Sequence, residues 1–185
     1  NDTFYVAILR PVTRGYRFVV PSDVRIPIRN FFDNLMATVR IANCLLQAKW
    51  GAAGGEVGAF FINSTAGVFG FGDPAQRYPA FNPPEEDMGQ TLAVWGVPNG
   101  PFLVIPLLGF YTARDFGGWL GDTYFDPLFY TAMNWEIVVG RLAVKTVNNT
   151  SFRLGDYEAV KAAAIDPYIA FRSGYVQFRQ KKVQE

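Results

Sequence analysis

The most informative stretch of the sequence runs from Gly89 to Asp115 and reads GQTLAVWGVPNGPFLVIPLLGFYTARD. It is strongly apolar, yet a glycine or a proline interrupts it every few residues. Its longest apolar run, Phe102–Leu108, contains a proline and is far shorter than the roughly 20 residues that a membrane-crossing helix needs. A soluble core would show a strand or helix periodicity that is interrupted less often. The stretch therefore belongs to neither of these two ordinary classes.

The composition of the whole chain points in the same direction. Of its 185 residues, 50% are hydrophobic and 16% aromatic, whereas 18% are charged, which is below the usual level of about 25%. A length of this order indicates one domain with a core of its own, so residues 1–185 are expected to form a single domain. An apolar excess without a spanning segment indicates a protein that lies in a membrane or carries a large apolar interface. The alternative is a soluble domain that is rich in aromatic residues.

The rare residue types exclude several kinds of chemistry. The chain has no histidine and one cysteine, Cys44, which lies in an apolar helical pattern and is expected to be a small core residue. A metal site of the cysteine/histidine kind and Ser-His-Asp or Cys-His catalysis are therefore excluded. The net charge of +1 gives no support for nucleic-acid binding. We expect no enzymatic activity, no catalytic residue, no metal and no cofactor.

Hydrophobic periodicity predicts an all-α fold. Apolar residues recur every three or four positions in Val24–Gln47, which predicts an amphipathic helix. Further helices are predicted for Glu86–Trp95, Thr112–Gly121, Pro127–Val147, Asp156–Ala164 and Pro167–Lys182, and Glu56–Thr65 is predicted as a short helix or turn. Ser22 or Asp23 is expected to cap the first of these helices, and the glycines from Gly51 to Gly55 are expected to end it. No strand of ordinary length alternates cleanly. The segment Gln76–Asp87 has three prolines and an acidic cluster, which predicts an exposed, irregular loop.

Four blocks, in order along the chain, resemble one known family. They are ILRPVTRGYRFVVPSDVRIPIRNFFDNL, FFINSTAGVFGFGDPA, EDMGQTLAVWGVPNGPFLVIPLLGFYTARDFGGWLGD and DPYIAFRSGYVQFRQ. Their residues and spacing resemble those of the MlaA (VacJ) family of outer-membrane phospholipid-transport lipoproteins. The resemblance covers nearly the whole chain, and four ordered blocks are far more specific than any one motif.

The resemblance implies a fold, a location and a set of partners. The fold is a ring of mostly short, kinked amphipathic helices that lie in the membrane around a central amphipathic channel. The location is the inner, periplasmic leaflet of the Gram-negative outer membrane, with a signal peptide and a lipid-anchored cysteine upstream. The implied partners are phospholipid, the outer-membrane bilayer, trimeric porins and a periplasmic lipid carrier, with no nucleic acid. The implied function is removal of mislocalised outer-leaflet phospholipid, which maintains lipid asymmetry.

Charged residues at the end of the stretch Gly89–Asp115 and just after it are candidates for the channel wall. Arg114 and Asp115 are its last two residues, and Asp122 lies seven residues after Asp115, which returns it to the same helix face. With the resemblance, we expect Arg114, Asp115 and Asp122 to line a hydrophilic wall that lets a charged headgroup pass. The alternative is an N-capping aspartate with a surface pair between Arg114 and Asp115, which would contribute little.

Arg141 is a further channel candidate because it interrupts an apolar helix face in the sequence VVGRLAV. An arginine among valines is costly unless it reaches water, a carboxylate or a lipid phosphate. It therefore either contacts a headgroup inside the channel or extends to the membrane edge. Arg179, Lys181 and Lys182, near the chain end, either contact anionic lipid or a partner, or are solvated.

The segment Tyr78–Met88 resembles the family's flexible hinge beside the channel. The prolines are expected to stiffen its ends and the acids to keep it in water, while the alternative is a plain surface connection. The predicted hinge residues are Tyr78, Pro79, Pro83, Pro84, Glu85, Glu86, Asp87 and Met88.

Two other functions compete with lipid transport. A phospholipase-like hydrolase would need a nucleophile and a base, but the chain has neither histidine nor a G-x-S-x-G motif. A structural adaptor would dock on porins and carry no lipid. It predicts that changes at Arg141 or Asp115 leave surface phospholipid unaltered.

Overall fold

A computed structural model describes residues 2–105, 108–131 and 134–184. Helices make up 73% of it, which confirms the predicted helical class. The helices are α1 (Asp2–Phe4), a π-helical turn (Tyr5–Leu9), α2 (Arg10–Val19), α3 (Ser22–Leu35), α4 (Ala37–Leu46), α5 (Trp50–Thr65), two 3₁₀ turns (Pro74–Arg77 and Pro79–Phe81), α6 (Met88–Val94), α7 (Ala113–Asp122), α8 (Pro127–Thr131), α9 (Trp135–Phe152), α10 (Asp156–Ala163) and α11 (Pro167–Gln184). Two strands, β1 (Phe102–Ile105) and β2 (Gly109–Thr112), complete the described elements.

The predicted helix Val24–Gln47 is two helices in the structure. Met36, with a ψ of −4°, separates α3 from α4. The residue at the N-cap position of α3 is Pro21, and its side chain cannot accept a hydrogen bond. The predicted Ser22 or Asp23 cap is therefore wrong. The following break at Gln47–Lys49 lies close to the predicted end of the helix.

The prediction that the glycines from Gly51 to Gly55 end the helix is wrong, because they lie inside α5. Glycine costs about 1 kcal/mol relative to alanine in a helix, so another interaction must favour it here. A Cβ on Gly55 would lie 2.6 Å from the carbonyl oxygen of Ala80, and one on Gly58 would meet the ring of Phe81. Gly55 and Gly58 therefore form a flat face on which the segment 79–83 packs.

The apolar run after Gly100 forms a β-hairpin, which the sequence did not predict. Strands β1 and β2 pair antiparallel, with Phe102 opposite Thr112 and Ile105 opposite Gly109. Pro106 and Leu107, from the same apolar run, lie outside the described residues. The rings of Phe102 and Phe110 stack on each other, and Phe110 stacks in turn on Phe171 of α11. Among the described residues of this stretch, Gly96, Gly100 and Gly109 have a positive φ, and they lie after α6, before β1 and at the start of β2.

The predicted helix Pro127–Val147 is also interrupted. Asn134 is extended, with φ −113° and ψ 131°, and it separates α8 from α9. Met133, which contributed to the predicted apolar face, lies outside the described residues. The other predicted helices are confirmed, and Thr112 caps α7 by accepting a hydrogen bond from the Asp115 amide. Asp166 likewise accepts hydrogen bonds from the first amides of α11.

Helix α7 packs on α6 and β2. Helix α6 lies against α7, α4 lies against α5, and α2 and α3 both pack on α9. Helix α11 contacts α6 and β2. This arrangement brings the end of the segment 78–88, the start of α7 and the last helix to one place.

The interior is unusually polar for a protein with this much apolar sequence. The side chains that are fully buried include Asn43, Gln90, Thr91 and Asn148. Large apolar side chains lie on the surface instead, and they include Phe18 at 93% exposure, Phe69 at 75% and Trp135 at 71%. Buried polar groups and extensive exposed apolar surface are the informative departures from an ordinary water-soluble domain. None of the described helices is long and apolar enough to cross a membrane.

Candidate functional site

A cavity of about 460 Å³ lies among α3, α4, α7, α9 and the end of the segment 78–88. Six residues that the sequence singled out line it, and they are Asp122, Arg141, Glu85, Glu86, Asp87 and Lys182. Apolar side chains form the rest of the wall, among them Phe32, Met36, Val39, Trp119, Leu128, Phe129, Val138 and Leu142. The cavity is therefore amphipathic, with charged groups and hydrocarbon on the same wall.

Asp122 is held in place by groups from two other elements. Its carboxylate accepts hydrogen bonds from Asn43 Nδ2 at 2.8 Å and from the Met88 amide at 3.1 Å. Burial outweighs these hydrogen bonds and raises the pKa of Asp122 to about 6. A carboxyl group with a pKa near neutrality therefore faces the cavity.

Arg141 forms an ion pair with Asp126, with 3.3 Å between Nη2 and Oδ2. Its other terminal nitrogen, Nη1, is buried and has no hydrogen-bond partner among the described residues. Lys145 lies four residues later on α9, hence on the same helix face, and it lines the same cavity. Burial lowers the pKa of Lys145 and raises that of Asp33, which lies on the α3 wall.

A second cavity, of about 700 Å³, adjoins the first. Asp33 and Glu85 line both cavities, so the two meet at these acidic side chains. The wall of the second cavity carries the aromatic residues Tyr5, Phe110, Phe152, Tyr157 and Phe171 together with Arg29 and Arg153. It is thus amphipathic as well.

Arg114 and Asp115 line neither of these two cavities. They lie in a buried ionic cluster with Arg179 and Asp87. Asp115 is only 4% exposed, and its carboxylate contacts Arg114 at 2.8 Å and Arg179 at 3.2 Å. Tyr175 also donates its hydroxyl to Asp115 at 2.9 Å. Burial alone would raise the pKa of Asp115, but the charge of Arg179 and the hydrogen bonds outweigh burial and lower it. The structure therefore does not bring Asp115 and Asp122 to a common surface, and the channel role of Arg114 and Asp115 stays a prediction.

The predicted hinge segment is fixed at its carboxyl end by its acidic residues. Glu86 is buried and accepts hydrogen bonds from Lys49 Nζ at 2.6 Å and Gln47 Nε2 at 2.8 Å. Asp87 caps α6 through the Gln90 amide at 2.9 Å. The expectation that these acids stay in water is thus wrong for Glu86, because a lysine and two amide side chains compensate its burial.

The amino end of the same segment is more exposed. It contains the 3₁₀ turn Pro79–Phe81, and Pro83 packs on the glycine face of α5. Tyr78, Pro84 and Glu85 are exposed. The hinge role of the segment stays a prediction.

Sequence reasoning missed Lys145 and Asp33, and it placed Arg179 among charges that contact lipid, a partner or solvent. Arg179 is 8% exposed and forms the centre of the ionic cluster. Lys145 had a signal in the sequence, since a cation four residues after Arg141 shares its helix face. The burial of Arg179 had no signal in the sequence, because its partners Asp115 and Asp87 lie 64 and 92 positions away.

Comparison with known proteins decides the family. A profile of the MlaA lipoprotein family matches residues 1–182. The chain belongs to the MlaA lipoprotein family. The resemblance stated from the sequence is therefore confirmed.

Relatives and a solved structure agree with this assignment. The intermembrane phospholipid transport system lipoprotein MlaA of Escherichia coli K12 is 31% identical over 172 residues, which cover 92% of this chain and 67% of that protein. An uncharacterised protein of Rickettsia felis is 31% identical over all of this chain and 73% of its own length. A solved structure described as the structural basis for maintenance of bacterial outer membrane lipid asymmetry superposes with a TM-score of 0.83. It is 30% identical and covers 97% of this chain and 89% of its own.

Proposed function

We propose that this protein transports phospholipid between membranes, and that the lipid passes through the two adjoining cavities. It takes mislocalised phospholipid from the outer leaflet of the outer membrane and delivers it to a periplasmic carrier. The naming of MlaA relatives as intermembrane phospholipid transport lipoproteins supports this proposal. The subject of the similar solved structure, outer-membrane lipid asymmetry, supports it as well.

One observation carries the proposal, namely that apolar side chains cover the outside while an amphipathic passage lies within. Exposed rings and aliphatic chains suit contact with acyl tails, whereas charged groups are costly there. The cavity wall offers both chemistries that a phospholipid needs, carboxylate and cationic groups beside Phe32, Trp119 and Leu142. A headgroup and an acyl chain can thus each find a matching surface in the same passage.

Arg141 and Asp122 are the residues we assign to the headgroup in this cavity. Nη1 of Arg141 is buried and has no hydrogen-bond partner within the described ranges, so it gains a hydrogen bond from a phosphate oxygen, which favours binding. The Asp122 carboxylate keeps that part of the wall polar and fixes the start of α6 through the Met88 amide. Arg114 and Asp115 lie outside both cavities, where the contact of Asp115 with Arg179 holds the first turn of α7 against α11.

The segment Tyr78–Met88 is the element we assign to gating. Its carboxyl end is fixed by Glu86 and Asp87, while Glu85 borders both cavities. A small displacement of the exposed middle of the segment therefore changes the opening between the cavities. The membrane partners that we propose are the outer-membrane bilayer, with the protein anchored by lipid at its inner leaflet, and trimeric porins.

We propose transport without bond cleavage. Groups that commonly hydrolyse an ester at neutral pH include a serine activated by a histidine base and a metal-bound water. The chain has no histidine. Within the described parts of the chain, no group of three or more cysteine, aspartate or glutamate residues is suited to hold a metal ion.

The test uses two neighbouring valines of α9. Val138 lines the cavity, whereas the adjacent Val139 is 53% exposed and lies on another face of the helix. A tryptophan at position 138 fills part of the cavity, so Val138→Trp should raise surface phospholipid, while Val139→Trp should not. The measurement is lysolipid released by an added phospholipase from intact cells of a Gram-negative strain that lacks its own family member and expresses the full-length protein.

The outcomes separate transport from its alternatives. Restored asymmetry with the wild type and Val139→Trp, but not with Val138→Trp, supports a lipid passage. Equal restoration by both variants at equal protein levels would favour the non-transporting porin adaptor. Lysolipid or free fatty acid released from labelled phospholipid by the purified protein alone would contradict the absence of enzymatic activity.

A further inference from the structure

We propose that Asp33 and Lys145 form the two poles of a headgroup-binding site at the junction of the cavities. This site prefers phospholipids whose headgroup carries a primary ammonium over those whose headgroup carries no positive charge. The inference rests on the proposed function, because it assigns the substrate class to the same passage.

Position is the first argument for this site. Asp33, on α3, lines both cavities together with Glu85, so every molecule that moves from one to the other passes these carboxylates. Lys145 approaches from α9, one helical turn after Arg141. The first cavity thus carries acidic groups of α3 and the segment 78–88 together with a basic group of α9.

The pairing of charges is the second argument. Other charged residues of the cavity have partners, since Arg141 pairs with Asp126, Arg40 with Glu56, and Lys182 with Glu85. Within the described ranges, neither the Asp33 carboxylate nor the Lys145 ammonium has a hydrogen bond or an ion pair within 4.0 Å. The two groups nevertheless sense each other, because each shifts the pKa of the other. They therefore lie within electrostatic reach of each other without direct contact.

The cost of these two charges is the third argument. Burial raises the pKa of Asp33, and the nearby charge of Glu85 raises it further. Burial lowers the pKa of Lys145. Each charge is thus disfavoured in the empty cavity, which is the condition under which a ligand of opposite charge gains most.

A zwitterionic headgroup satisfies both poles at once. Its phosphate binds Lys145 and the free Nη1 of Arg141, while its ammonium donates hydrogen bonds to Asp33 and Glu85. A glycerol headgroup offers the phosphate alone and leaves the acidic pole unpaired beside a second negative charge. A quaternary ammonium carries the positive charge but has no N–H to donate. The expected order of affinity is phosphatidylethanolamine, phosphatidylcholine and then phosphatidylglycerol.

The test measures binding of the three dioctanoyl phospholipids to the full-length protein in non-ionic detergent by native mass spectrometry. One charge-assisted hydrogen bond corresponds to about a tenfold preference for phosphatidylethanolamine over phosphatidylglycerol. Asp33→Asn should remove this preference, chiefly by strengthening phosphatidylglycerol binding and weakening that of phosphatidylethanolamine. Lys145→Gln should weaken all three lipids by a similar factor, because all three carry the phosphate.

The controls are charge changes of the same type outside the cavities. Asp23→Asn and Lys161→Gln neutralise exposed groups that line neither cavity, so the lipid ranking should not change. Equal affinity of the wild type for all three lipids would overturn the two-pole site, and so would an Asp33→Asn protein that keeps the full preference. In both cases lipid binding, and with it the proposed function, would stand. Absence of binding for every lipid would overturn both proposals. The wild-type ranking alone decides the point if the Asp33→Asn protein does not fold.

Discussion

The guanidinium of Arg179 donates two hydrogen bonds to the carboxylate of Asp87, of 2.6 and 2.7 Å, across 92 positions of the chain. The same guanidinium contacts Asp115 at 3.2 Å. The last helix is thus tied both to the end of the predicted hinge segment and to the start of α7. Because Asp87 also caps α6, this cluster fixes where the segment stops and the helix begins.

Replacement of Arg179 by methionine should destabilise the fold strongly. The Asp115 carboxylate is 4% exposed and would lose its main compensating charge, and removal of one partner from a buried ion pair typically costs about 3 kcal/mol. The measurement is the free energy of unfolding by urea in a constant detergent background. Arg172→Met, an exposed change on the same helix, is the control and should stay within about 0.5 kcal/mol of the wild type. Equal losses for the two variants would contradict the role of the cluster.

Two adjacent glycines of α7 should respond in opposite ways to alanine. A Cβ on Gly118 would overlap the backbone nitrogen of Gly89, so Gly118→Ala forces α6 and α7 apart and should cost about 2 kcal/mol. Gly117 is exposed, and a Cβ added to it would have no other atom within 4 Å, so Gly117→Ala should stabilise the helix by up to about 1 kcal/mol. Thermal unfolding followed by circular dichroism checks both. A Gly118→Ala protein as stable as Gly117→Ala would show that α6 and α7 can separate at little cost.

The carboxyl group of Asp122 should make stability depend on pH near neutrality. Its pKa is raised to about 6 in the folded protein, so the folded state binds this proton more tightly than the unfolded chain does. Protonation therefore favours folding, and this contribution is lost as the pH rises through about 6. Asp115 has a lowered pKa, so its stabilising contribution is present above its ordinary pKa and is lost only in stronger acid.

The check compares the wild type with Asp122→Asn at two pH values. The stability of the variant relative to the wild type should increase by on the order of 2 kcal/mol between about pH 5 and about pH 8. A constant offset caused by the new amide cancels in this comparison. No change in the difference between the two pH values would refute the raised pKa.

The sequence predicted those features of the fold that depend on local periodicity and on family-specific motifs. Amphipathic patterns located α6, α7, α10 and α11, and the four ordered blocks identified the family. The hairpin from Phe102 to Thr112 escaped prediction because its strands are four residues each and its stabilising aromatic partners lie on α11. The first part of α5, from Trp50 to Gly55, was not predicted because glycine disfavours helix locally, and the contact of Gly55 with the segment 79–83 compensates for this.

The same distinction applies to the candidate site: signals within one segment were predicted, and contacts between distant residues were not. Arg141 was identified because it interrupts an apolar helix face, and Asp122 because it lies seven residues after Asp115, and both line the cavity. Asp115 was identified in the same way, but its position depends on Arg179, which lies 64 residues further on. Charge pairing across such distances has no signature in a single sequence, so the cluster required the structure.

The glycine face of α5 should control how firmly the predicted hinge segment is held. A Cβ on Gly55 would lie 2.6 Å from the Ala80 carbonyl oxygen and 3.4 Å from Pro83, so Gly55→Ala displaces the segment from α5. Gly54 is exposed and has no atom within 4 Å of such a Cβ, which makes Gly54→Ala a matched control one position away. Amide hydrogen exchange of residues 78–82 should become faster in Gly55→Ala and stay unchanged, or become slower, in Gly54→Ala. Because Lys49 and Arg179 still hold Glu86 and Asp87, exchange at the start of α6 should remain slow in both variants. Faster exchange throughout the segment and α6 would mean instead that its two ends are released together.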